Sequence, residues 1–148
     1  MTNQPFPVSD HTSLIAPFWD DLNPDANAGD IYYATLGDAP NREFVVEWRE
    51  VQHYNSFSGD ITFQVVFFEN SSDILFNYLD VDFQTDDLNG GASATIGIQT
   101  TADKYIQFSH DVANLQSNKS YRFTAASSSV VPQPEPLPEP PTESNPQP

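Results

Sequence analysis

The chain has 148 residues, 21 acids against five bases, a formal charge of −16 and no cysteine. A field of that sign repels phosphate, so it argues against nucleic acid and anionic membrane surfaces and leaves cations, neutral glycans and basic proteins as partners. The missing thiols exclude disulfide frameworks, thiolate zinc sites and cysteine nucleophiles, and no apolar run approaches the roughly 18 residues that insert across a bilayer.

In chain order, the first sharp feature is the apolar knot Ile15-Ala16-Pro17-Phe18-Trp19, closed by Asp20 and Asp21. Aromatics abutting paired acids specify a corner, either a structural latch or the rim of a cation site. An Asn/Asp-rich loop follows to Gly29, and Ile31, Tyr33 and Thr35 alternate as the first expected strand. Phe44, Val46 and Trp48 form the next. Ile61, Phe63, Val65 and Phe67 form another, and there Val66 and Phe68 fill the second face too, which predicts a central strand. Ile74, Phe76 and Tyr78 continue the pattern after the turn-forming Asn70-Ser71-Ser72-Asp73. Asp80, Asp82, Asp86, Asp87 and Asn89 read as a solvated hairpin loop, with a second cation site, or the completion of the first across the domain, as the alternative. Ala94, Ile96 and Ile98, then Ile106 and Phe108, then Tyr121 and Phe123 complete the series. The best helical stretch, Asp111 to Gln116, is barely one turn. The expected fold is all-β, an antiparallel β-sandwich or flattened barrel of about seven to nine strands. Phe18, Trp19, Trp48, Phe63 and Phe76 are expected to face its core.

Val131 to Pro148 hold eight of the 13 prolines and three glutamates, with no Lys, Arg or aromatic residue. Such a segment buries too little apolar surface to offset its ordering entropy. Residues 1–126 are therefore expected to form the domain and 127–148 an extended Pro/Glu linker. Without the linker's glutamates the domain keeps 18 acids against five bases, a net charge of −13. The N-terminus has no basic n-region or apolar h-region, and the chain stops inside the Pro/Glu run. Taken literally, the missing leader means cytoplasmic, but the stop inside the Pro/Glu run predicts a module of a longer secreted or surface protein.

The opening knot, together with Gly29-Asp30-Ile31-Tyr32-Tyr33, resembles the start of the nidogen-type extracellular (NIDO) domain. Phe44-Val45-Val46-Glu47-Trp48-Arg49-Glu50-Val51, Thr62-Phe63-Gln64-Val65-Val66, Ile74-Leu75-Phe76-Asn77-Tyr78 and Ala94-Thr95-Ile96-Gly97-Ile98 are similar to later strands of that family, in the same order. The likeness runs from Leu14 to Thr100. It implies a non-catalytic module of multidomain extracellular proteins associated with adhesion and matrix. The cysteine-free make-up and the Pro/Glu tail look more like a bacterial surface protein than an animal matrix protein. The resemblance supplies no catalytic residue and assigns Asp20 and Asp21 no ligand.

Three constellations carry possible chemistry. Asp20, Asp21, Asn23, Asp25, Asn27 and Asp30 alternate oxygen ligands along a curling loop, as Ca2+ requires. An EF-hand register fails, because Ala26 and Tyr32 stand where glycine and glutamate belong, and an Asx-rich turn satisfying its own backbone is the competing reading. Tyr32, His53, Tyr54 and Phe57 sit among polar residues, where rings can stack on a sugar while amides bond its hydroxyls; rings folded back over the sandwich edge are the alternative. Ser9-Asp10-His11 and Ser109-His110-Asp111 hold triad residue types, but triad members meet through the fold, not by adjacency. No nucleophile elbow or His-Glu-x-x-His motif is present. The reading is a non-catalytic extracellular adhesion or interaction module, with calcium assistance, an external protein or glycan ligand and neighbouring domains of its own parent as partners. The alternatives are a carbohydrate-binding accessory module of a secreted polysaccharide-degrading enzyme, and a structural spacer.

Overall fold

A computed structural model describes residues 2–24, 29–54 and 56–124, the side chain of Phe57 excepted. Strands make up 55% of the structure, in two antiparallel sheets that do not close into a barrel. The chain is a β-sandwich, and the flattened barrel drops out.

The strands are β1 (Leu14–Trp19), β2 (Leu22–Asn23), β3 (Asp30–Leu36), β4 (Glu43–His53), β5 (Ser56–Phe68), β6 (Ile74–Asp80), β7 (Thr95–Thr101), β8 (Lys104–His110) and β9 (Lys119–Phe123). The smaller sheet runs β1-β7-β8, and the larger runs β4-β5-β6-β9. Two strands share the outer edge of β4. β2 lies against Gln52 and His53, and β3 against Glu43 to Arg49. The central place of β5 agrees with its two apolar faces.

Period-two alternation aligns side chains across strands into rows on the inner face. Trp48, Phe63 and Tyr78 form one row, Val46, Val65 and Phe76 the next, and Phe44, Phe67, Ile74 and Phe123 the last. The smaller sheet answers with Phe18, Ile96 and Ile98. Burial of a ring such as Phe63 contributes about 2–3 kcal/mol. Between the sheets the Tyr78 hydroxyl donates to the Pro17 carbonyl at 2.6 Å. Burial there pushes the phenol pKa well above its ordinary value.

The outer face of the smaller sheet is covered by the N-terminal arm, where Phe6 and Val8 pack with Ala16, Leu14 and Trp19. Buried Gln99 holds the arm. Its Oε1 accepts the Val8 N–H at 2.7 Å, and its Nε2 donates to the carbonyls of Val8 at 3.0 Å and His11 at 2.7 Å. Gly97 makes the fit possible, because a Cβ there would lie 2.8 Å from the Phe6 ring and 2.3 Å from the Ile106 carbonyl.

Four expectations are corrected. The first strand is β1, not Ile31 to Thr35, because the knot is itself extended. Trp19 packs under the arm, not in the main core, since its neighbour Phe18 already points inward and adjacent strand residues face opposite ways. The Asp80 to Gly91 region is not a hairpin loop. It carries the chain from the larger sheet to the smaller and drops Val81 and Phe83 into the core. Asp111 to Gln116 forms no helical turn.

Tyr78→Phe leaves the buried Pro17 carbonyl without its donor and is expected to destabilise the fold by about 1–3 kcal/mol. Urea unfolding of the two proteins, read at equal m-values, measures it.

Candidate functional site

The acidic corner is built by β1, β2 and the end of β4. As β1 ends, Asp20 turns inward and both of its oxygens are engaged. Oδ1 accepts the Asp21 N–H at 2.8 Å and faces His53 Nε2 at 3.4 Å, while Oδ2 accepts the Ser93 hydroxyl at 2.6 Å. His53 and Asp20 are both nearly buried, and the His53 ring meets Phe83 edge-on at 5.8 Å. Asp20 therefore joins β1, β4 and the crossover before β7. Of the two readings of the knot, the latch describes this residue. Asp21 is exposed, and its carbonyl accepts the Tyr54 N–H at 2.8 Å.

Among the other loop residues, Asn23 pairs with Gln52, and Asp30 opens β3, its carboxylate accepting the Ile31 N–H at 2.7 Å. Asp25 and Asn27 lie outside the described residues. Among the described residues, no three His, Asp or Glu side chains gather closely enough to hold a metal ion. Gly29 has a steric reason: a Cβ there would sit 2.5 Å from the Glu50 carbonyl. That carbonyl belongs to a bulge in β4 between Trp48 and Val51, where Glu50 takes φ +52°. The bulge brings Glu50 toward Asp60. Burial first, then the charges of Glu50 and Asp80, raises the Asp60 pKa.

The expected ring cluster is divided. Tyr54 is 65% exposed at the β4–β5 turn, whereas His53 beside it is buried against Asp20. Tyr32 stands apart on β3, with the Arg49 guanidinium 4.7 Å above its ring. The Phe57 side chain is not described.

The triad-type residues do not form a nucleophile and base. Ser9 donates to Asp10 at 3.2 Å, not to a histidine. Thr95 meets His110 Nδ1 at 2.8 Å, but its single proton goes to the Gln4 carbonyl at 3.0 Å, so the imidazole N–H must be the donor. Thr95 is also fully buried beneath the arm. The Ser109 hydroxyl is buried and has no hydrogen-bond partner among the described residues.

Two surfaces escaped the sequence reading. On the outer face of the larger sheet, a groove of about 390 Å3 is lined by Glu47, Thr62, Gln64, Asn77, Lys119 and Ser120. Ser120 donates to Asn77 at 2.7 Å, Asn77 to Gln64 at 3.3 Å, and Gln64 to Glu47, which Arg49 also clasps. The second surface is β3 itself. All seven of its residues are exposed, because the three-stranded sheet does not extend over it. Tyr33 is 78% exposed, Ile31 43% and Phe44 41%, and the rings of Tyr33, Phe44 and Phe67 follow one another at 6.1 and 6.2 Å. The signal for this surface was the excess of strands on one side of the sandwich, which only the pairing reveals.

Asp20→Ala removes the acceptor of half-buried Ser93 and one partner of buried His53. An expected loss of about 2–4 kcal/mol follows, measured by denaturant unfolding; an unchanged midpoint would contradict the latch.

Comparison with curated proteins and with solved structures found no match. A family model described as "NIDO related" matches residues 1–136. Domains of this nidogen type are typically extracellular, non-enzymatic interaction modules. No helix among the described residues is long and apolar enough to cross a membrane. The sandwich, its opening knot and the family match lead to one conclusion: the chain belongs to the NIDO-related family.

Proposed function

We propose that this chain is a non-catalytic adhesion module that binds a protein partner through the part of its larger sheet that the smaller sheet leaves bare. The observation that carries the reading is the run of Ile31, Tyr33 and Phe44, exposed yet continuous with the core through Phe67. Apolar surface of this kind, rimmed by polar residues, marks interaction sites on soluble domains. Rings at its centre supply large contact area at small entropic cost. The charge of −16 keeps the module soluble and favours basic partners.

Beads carrying the module, offered surfaces coated with extracellular-matrix proteins or with neutral polysaccharides, test the reading. Retention on protein is expected to fall roughly tenfold or more in the Tyr33→Ser/Phe44→Ser double variant, with the melting curve retained. Retention on polysaccharide alone, abolished by Tyr54→Ala, would replace adhesion with the carbohydrate-binding reading. Exposed Tyr54 and the amide-lined groove over Gln64 and Asn77 support that second reading.

Calcium assistance forms part of the proposal. With Asp20 occupied by the latch, the oxygens would come from Asp21, Asn23, Asp25, Asn27 and Asp30. Millimolar calcium is then expected to raise the melting temperature relative to EDTA. Superimposed curves would remove the metal from the reading.

A further inference from the structure

We infer that β3 takes up its partner by strand addition: an extended, basic segment of another protein pairs antiparallel or parallel with its open edge. The inference rests on the adhesion reading and specifies how the bare surface is engaged.

A sandwich of two open sheets has exposed edges, and an exposed edge invites pairing unless something blocks it. Here the other edges are blocked. β1 contains Pro17 and an irregularity between Ala16 and Trp19. β8 begins with Lys104, and its pairing with β7 shifts register twice. β9 carries Lys119 and Arg122 within five residues. The short β2 offers only Leu22 and Asn23.

β3 has none of these devices. It pairs with β4 through seven consecutive residues, Asp30 to Leu36, without a register shift. It contains no proline, glycine, lysine or arginine. Among the described residues β4 is its sole strand partner, so the backbone of its other edge has no strand opposite it. Apolar side chains flank that edge on both faces, Ile31 and Tyr33 on one and Tyr32 and Leu36 on the other, all exposed.

Charge selects the occupant. The chain has five basic residues, and three of them, Lys104, Lys119 and Arg122, lie on the blocked strands β8 and β9. The two nearest β3 are neutralised. Arg42 forks onto Glu69, whose pKa it pulls down to about 2, and Arg49 is bound to Glu47. Among the described residues, Asp30, Asp38, Glu43 and Glu50 remain around the strand without an ion pair to a basic side chain. A second copy would bring the same acids and a further −16 to the edge. A segment alternating Lys or Arg with Val or Ile supplies the missing hydrogen bonds, apolar neighbours and opposite charge together.

Amide hydrogen exchange on the intact chain tests this, with synthetic peptides alternating Lys and Val, Arg and Ile, or Glu and Val as probes. Expected is slowed exchange at alternate β3 amides with the two basic peptides and none with the acidic one, lost when a central valine is replaced by proline. Salt should weaken the effect. Perturbation of the Tyr33 and Phe44 rings without slowed β3 amides would overturn strand addition while leaving the adhesion reading intact. Absence of slowed exchange with either basic peptide would also overturn it, as would protection that grows with protein concentration alone, which would assign the edge to a second copy. Loss of bead retention in the Tyr33→Ser/Phe44→Ser variant tests the adhesion reading separately.

Discussion

Phe63 is the residue through which the two sheets hold one another. Its ring stacks on Trp48 of β4 at 4.8 Å and on Phe18 of β1 at 5.7 Å, and leans on Tyr78 of β6 at 6.1 Å. One side chain thus touches both of its sheet neighbours and the facing layer. Tyr78 adds the directional element, since its hydroxyl fixes the height at which β1 crosses. Stacked and tilted rings prefer defined offsets, so this cluster sets how the sheets lie and not only how strongly they adhere.

Once β1 is fixed at that position, the reach of the smaller sheet is limited. Three strands cannot cover a larger sheet whose β4 also supports β2 and β3. The uncovered margin falls on β3, where the inner row of aromatics continues past the core into solvent. The same local crowding explains the acidic corner. Asp20 must leave β1 at its very end, and the bulge at Glu50 with Gly29 opposite lets β3 begin close by. Packing and exposure are two results of one mismatch in width.

Much of this was legible in the residues. Phe44, Val46 and Trp48 alternate with Val45, Glu47 and Arg49, and that periodicity alone indicates a half-buried strand; the doubled apolar faces of β5 indicated its central place. Trp19 was misplaced because a run of apolar letters conceals which phase points inward, and a second small core beneath the arm gave it somewhere else to go. Asp80 to Gly91 looked like a hairpin because its charges dominate. The buried Val81 and Phe83, spaced for a strand's continuation, were the competing signal. The pairing of Asp20 with Ser93 spans 73 residues and has no local signature. Tyr32 and Tyr54, adjacent in character, end up on different elements for the same reason.

The larger sheet also fixes a direction. β9 and β3 are its opposite margins, with β4, β5 and β6 between them, a width of about 19 Å at ~4.8 Å per strand. Phe123 ends β9, so a pull applied there would enter the sheet at the margin farthest from β3. The load would reach β9 first, with four ladders between it and the bare strand β3.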